Sequence, residues 1–140
     1  MTTQQQRLIR ETFPMLFEMA GPLSQLFYGR LFQLAPSVRP MFRGDIRAQG
    51  RKLMDMLTVL VEGLDHPEQH LSLLRALGQR HAGYGVKPEH YETVGAAFGW
   101  ALSQALQLEF TGDVKAAWLA LIEEVNTEMK AGAAELPPVS

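Results

Sequence analysis

Arg47-Ala48-Gln49-Gly50-Arg51-Lys52-Leu53-Met54-Asp55-Met56-Leu57-Thr58-Val59-Leu60 stacks Gln49, Leu53, Met56, Leu57 and Leu60 on one face at three- and four-residue steps, the period of an α-helix. One member of that stripe is an amide. A buried amide carries two donors and an acceptor that all need partners, so an inward Gln49 points to a polar partner inside the fold. The alternative is a residue at the helix start that is still in solvent.

The same period recurs on both sides of this stretch, and no sustained period-2 alternation bounded by turn residues interrupts it, so the chain reads as all-α. A first helix is expected over 4–19; Gly21-Pro22 ends it, and Pro22 can open the next, to about residue 34. Pro36 and Pro40 confine the chain to a short turn or one-turn helix leading to Phe42 and Gly44. The quoted stretch belongs to a helix over 47–63. Pro67 opens another, in which Leu74, Leu77 and His81 share a face, until Gly83 and Gly85 break it. Pro88 starts a long helix to about residue 106, with Gly95 and Gly99 one turn apart permitting close packing. Thr111-Gly112-Asp113 starts the last, through Trp118, Leu121, Ile122 and Val125 to about residue 130. One domain over 1–132 with a loosely held tail over 133–140 is expected. Unequal helix lengths and irregular connections favour angled helical packing over an even up-down bundle.

Composition narrows the chemistry. A chain of 140 residues with a formal charge of −2 suits one domain and offers no basic stripe for nucleic acid or anionic lipid, so neither partner is expected. The absence of cysteine excludes disulfides, thiolate zinc sites, cysteine nucleophiles and cysteine-ligated clusters, which leaves four histidines as the natural ligands for any soft metal. The start has no apolar run after a basic segment, which makes the cytoplasm the expected location. The longest mostly apolar stretch, 53–64, carries Asp55 and Glu62 and is too short to span a bilayer. No Gly-x-Ser-x-Gly or Gly-rich phosphate loop is present, so hydrolase and nucleotide readings lack residues to carry them.

Three polar side chains fall on apolar stripes of different helices: Tyr28, Gln49 and His81. A buried polar group without a partner costs on the order of 1–3 kcal/mol, so three aimed at one core suggest a shared ligand. Each also has an ordinary reading: a core histidine bonded to a carbonyl for His81, a core tyrosine with its hydroxyl at the rim for Tyr28. His66 and His70, four apart, could share a face as metal-binding pairs do, yet with no obvious third ligand beyond Asp65 or Glu68 they read as solvated. His90, in a helix's first turn, is expected to face solvent and competes weakly with His81 as a metal ligand.

Taken together, Phe27-Tyr28-Gly29-Arg30-Leu31-Phe32, Pro36, Phe42, Gln49-Gly50-Arg51-Lys52-Leu53-Met54, Leu77-Gly78-Gln79-Arg80-His81, Gly85-Val86-Lys87-Pro88, Tyr91-x-x-Val94-Gly95 and Ala117-Trp118 resemble single-domain bacterial globins. The likeness extends to the globin domain of flavohaemoglobins and to neuroglobin-like bacterial globins, over about residues 5–130. It implies a globin fold around haem b, with His81 as the iron ligand and Phe42 wedged against the haem. Tyr28 and Gln49 take the two distal positions, with Leu53 beside them. Leu77, Val86, Tyr91, Val94 and Phe98 correspond to haem-packing residues, and Lys52 is placed to meet a propionate. Flavohaemoglobins also pair the tyrosine matching Tyr91 with a glutamate that supports the ligand histidine; Glu135 falls in register, beside Leu136-Pro137-Pro138.

The implied function is a monomer that binds O2, and also CO and NO, with high affinity for storage, scavenging or sensing. The alternative is an NO dioxygenase working with a separate reductase, because flavohaemoglobins continue into flavin and nicotinamide domains beyond the part matched here; in it Tyr28 and Gln49 are the catalytic pair. A third reading, a haem-free helical interaction domain, leaves the inward Gln49 unexplained.

Overall fold

Six α-helices and two short 3-10 helices make up the described residues, with no strand among them, as the periodicity predicts. They are seen in a computed structural model that describes residues 1–42 and 44–135. The helices are α1 (Thr3–Glu18), α2 (Ala20–Leu34), α3 (Ile46–Glu62), α4 (Pro67–Gly83), α5 (Pro88–Leu106) and α6 (Gly112–Ala134), with 3-10 segments at Pro36–Met41 and Gln107–Glu109. No helix among them is long and apolar enough to cross a membrane.

Local chemistry sets most of the boundaries. Thr2 and Gln5 cap α1 reciprocally, the Thr2 hydroxyl accepting from the Gln5 N–H at 3.0 Å and the Gln5 side chain from the Thr2 N–H at 2.9 Å. The Asp45 carboxylate accepts from the Arg47 N–H at 2.9 Å and opens α3. Pro67 and Pro88 stand in the first turns of α4 and α5, where a missing N–H removes no helical bond. α1 ends at Glu18, within a residue of the expected end, but α2 starts at Ala20 and not at Pro22, because Pro22 is tolerated inside the first turn of α2. At the other end α6 runs to Ala134, past the expected stop near residue 130. Residues 133 and 134, expected in the tail, are thus helical, Glu135 caps α6, and 136–140 lie outside the described residues.

The helices pack α4 on α6, α2 on α5 and α1 on α6, with α3 leaning on α2 and α1. Ile9, Leu16, Leu23, Leu31, Leu102 and Trp118 are wholly or almost wholly buried in the larger core. Burying such a side chain contributes roughly 1.5–3 kcal/mol. Trp118 keeps its polar edge satisfied, its Nε1–H donating to Thr12 Oγ1 at 2.9 Å while the Thr12 hydroxyl donates to the Leu8 carbonyl at 2.8 Å. A smaller core joins Leu60, Leu74, Leu77, Tyr91 and Met129.

Two glycines let helices approach closely. At Gly78 a Cβ would collide with the main chain of Met129, so α4 and α6 touch backbone to backbone there. At Gly50 a Cβ would come within 2.7 Å of Ser24 Oγ, so α3 lies against α2. That second contact rotates α3 relative to the stripe read from the sequence. Gly50, Met54, Leu57 and Val61 are fully buried, whereas Gln49, Leu53 and Met56 are half-buried at the edge of the core; only Leu57 and Leu60 of the expected stripe are fully inside.

Candidate functional site

Tyr28 on α2 is 4% exposed and sits in an aromatic cluster, its ring 4.8 Å from Phe27, 5.4 Å from Phe42 and 6.2 Å from Phe32 between centroids. Phe98 of α5 meets Phe27 edge-on at 5.5 Å. The Tyr28 hydroxyl donates to the main-chain carbonyl of Gln49 at 3.4 Å, a long bond. Burial pushes its phenol up to about 12. The fold thus brings together two polar residues 21 apart in sequence. The phenol stays protonated near neutral pH and keeps its O–H available as a donor. Leu53, one turn beyond Gln49, packs with Phe42 and Val94 against the larger core.

His81 lies in the last turn of α4, half-buried, with Nδ1 2.7 Å from the Leu77 carbonyl oxygen. A carbonyl only accepts, so Nδ1 carries the proton and neutral His81 presents the lone pair of Nε2. That is the tautomer a metal-bound imidazole requires, with its ring orientation fixed by the second hydrogen bond. The chain then turns through Tyr84-Gly85, where Gly85 adopts φ +92°, and the Val86 N–H donates to the His81 carbonyl at 3.1 Å. This bond ties Val86 to the residue it must accompany. Leu77 and Tyr91 lie in the smaller core with Val86 packed on it, and α5 carries on to Val94 and Phe98 at the larger core. The buried Tyr91 hydroxyl has no partner among the described residues, and burial raises its pKa.

These features fit the group that the resemblance implies. His81 can offer Nε2 to iron, and Phe42, Leu53, Met56, Val86 and Val94 are apolar yet only half-buried, the kind of surface that a flat apolar group would cover. Lys52 is exposed on α3. Phe32, which meets Phe42 edge-on, and Met56, which packs against the smaller core, are two residues that the sequence reading passed over as site residues.

The remaining histidines separate clearly. The Lys87 N–H donates to His90 Nδ1 at 3.0 Å, so His90 is half-buried as a cap of α5. It is therefore committed to the helix start, where it remains partly exposed. His66 is exposed, but His70, expected to be solvated, is 5% exposed with no hydrogen-bond partner on either ring nitrogen. The reason is its spacing: His70, Leu74, Leu77 and His81 form one stripe at i, i+4, i+7 and i+11, the buried face of α4. Glu135 lies next to the end of α6, where its carboxylate meets Arg75 Nη1 at 3.5 Å, beside Glu128 at 3.3 Å from Arg75 Nε. It is paired with that cation and accepts no hydrogen bond from the Tyr91 hydroxyl.

Comparison with known proteins fits this geometry. A bacterial globin from Campylobacter jejuni shares the fold with a TM-score of 0.81 at 23% identity, over 96% of this chain and 97% of that one. A flavohemoglobin from Malassezia yamatoensis with bound FAD and heme gives 0.77 at 21% identity, over 96% of this chain and 37% of that one. The flavohemoprotein of Vibrio cholerae serotype O1 is 29% identical over 124 residues, which are 86% of this chain and 31% of that protein. The chain spans about three-tenths of the length of the curated relatives it matches. The globin family model matches residues 25–129, from α2, which bears Tyr28, past His81 and into the last turns of α6, and by that match the chain belongs to the globin family.

Proposed function

We propose that this chain holds haem b through His81 and binds O2, together with CO and NO, reversibly and tightly, as a monomeric cytoplasmic protein of O2 storage, scavenging or sensing. The observation that carries the reading is the Nδ1 bond of His81 to the Leu77 carbonyl, which leaves Nε2 as a ready iron ligand. Phe42, Leu53, Leu77, Val86, Tyr91, Val94 and Phe98 would hold the macrocycle by apolar contact, and Lys52 a propionate.

Haem, when bound, would supply an iron that takes a diatomic gas and a one-electron ferrous–ferric couple. Tyr28 and Gln49 donate hydrogen bonds to a ligand that gains negative charge, each worth roughly 1.5–3 kcal/mol. A factor of ten in affinity corresponds to about 1.4 kcal/mol, and most of it is realised as slower release. The half-buried apolar wall of Phe42, Leu53 and Val94 excludes water from the same space.

The likeness to flavohemoproteins favours a second reading, NO dioxygenation. Its balance, NO plus O2 plus one electron giving nitrate, calls for a separate reductase to supply the electron, while Tyr28 and Gln49 keep the same roles toward O2.

The test is the absorption spectrum of the purified chain with added haem. A Soret band is expected, lost or altered in His81→Ala and kept in His90→Ala. No Soret band in the unaltered chain would leave the haem-free interaction domain, and the reverse result for the two variants would remove His81 as the ligand.

A further inference from the structure

His70 plays no part in the candidate site described above and is buried with both ring nitrogens unpartnered among the described residues, at a cost on the order of 1–3 kcal/mol for each group left unsatisfied. Such a group in a native fold calls for a ligand, an ion or water. It borders two clefts. One, of about 170 Å³, is lined by Met1, Gln6, Leu64, Pro67, His70 and Glu124; the other, of about 220 Å³, lies toward Gly63 and His66. In the first, His70 Nε2 stands 3.8 Å from Glu124 Oε1.

That separation suits an ion held between the two groups. It is beyond the roughly 2.7–3.2 Å of a direct hydrogen bond, and too short for a water held by two such bonds, whose tetrahedral angle needs about 4.6 Å. Two ligands at about 2.1 Å from a tetrahedral zinc ion stand about 3.4 Å apart, within a small side-chain adjustment of what is seen. The cleft exceeds the roughly 30 Å³ that one water occupies, so an ion and its waters fit. The imidazole nitrogen and carboxylate suit a borderline divalent metal better than a hard cation.

We propose that His70 Nε2 and Glu124 bind a divalent transition-metal ion of the zinc class between α4 and α6. No group of three or more His, Asp or Glu is available among the described residues, so the Gln6 amide oxygen and water fill the remaining positions. The site is open and exchangeable, and His70 Nδ1 is left to donate into the second cleft. It is unlike the i,i+4 pairing of His66 with His70, since the exposed His66 lies next to Asp65, with Nε2 3.6 Å from its carboxylate.

Equilibrium dialysis of the EDTA-stripped chain against zinc chloride tests the site, with bound metal read by atomic absorption and thermal melting followed in parallel. One zinc per chain is expected, with a melting temperature raised by the metal. Binding should weaken at least tenfold in both His70→Gln and Glu124→Gln and stay unchanged in His66→Gln. Glu124 is 36% exposed, so its variant retains the fold and decides the matter even where His70→Gln does not fold. Equal binding by the unaltered chain and Glu124→Gln would overturn the proposal, as would loss of zinc in His66→Gln.

Discussion

Tyr28→Phe removes a single oxygen from the aromatic cluster and leaves the ring packed against Phe27, Phe32 and Phe42. The bond that is lost within the protein is the 3.4 Å contact with the Gln49 carbonyl, well beyond the usual O–H···O distance of about 2.7–2.8 Å. Its loss should therefore cost less than about 1 kcal/mol of stability. On the proposed reading, the same hydroxyl would face a gas that gains negative charge and make a charge-assisted bond worth roughly 1.5–3 kcal/mol. At about 1.4 kcal/mol per factor of ten, O2 release from the haem-loaded protein should accelerate about 10- to 150-fold. CO takes on little charge, so its release should change by less than about threefold, on the same reasoning. Stopped-flow release of the two gases and a thermal melt of each protein separate these terms. Equal acceleration for O2 and CO, or none for O2, would mean that Tyr28 only packs; a large fall in melting temperature would mean that the hydroxyl is structural.

The raised pKa of Tyr28 has an alkaline signature, because the folded chain binds the phenol proton more tightly than the unfolded one. Stability is intact below about pH 10 and falls as pH rises from about 10 toward 12, by about 2–3 kcal/mol in all, and Tyr28→Phe should lessen that fall in urea melts over this range; an unchanged slope would contradict the assignment. Gly78→Ala forces a methyl into the main chain of Met129, and an overpacked site of this kind costs typically about 1–3 kcal/mol, so the melting temperature should drop by several degrees; no drop would mean that the α4–α6 crossing is looser than it stands. On the proposed carrier reading, the O2-loaded protein forms nitrate from NO in a single turnover but shows negligible steady-state NO consumption with NADH alone. Sustained consumption without an added reductase would favour the dioxygenase.

Fold class was legible because period alone separates helix from strand, and the proline and threonine signals at Thr111, Pro67 and Pro88 put three helix starts within a residue of where they lie. The start of α2 at Ala20 was not, since Gly21-Pro22 reads as an end and a beginning with equal ease. Nor was the reach of α6: Ala131, Gly132, Ala133 and Ala134 carry little amphipathic signal of their own, and Gly132 is held inside by a contact with Arg75 of α4 that only the fold reveals. His70 shows the same limit differently. Its stripe with Leu74, Leu77 and His81 was present in the sequence, yet the i,i+4 relation to His66 suggested a surface pair.

The rotation of α3 bears most directly on function. Spacing pointed Gln49, Leu53 and Met56 inward, but a helix of this length can bury two adjacent stripes to different depths, and only the partner helix decides between them. Gly50 against Ser24 settles that question, turning Met54, Leu57 and Val61 into the protein core and leaving the Gln49 stripe half-covered. A fully buried Gln49 would have to satisfy its amide with protein groups, and those bonds would compete with any ligand. Half-burial beside Tyr28 leaves the amide able to turn toward a third body without first breaking a core contact. On the proposed reading, the departure from the expected stripe is what would let Tyr28 and Gln49 act together on a bound gas.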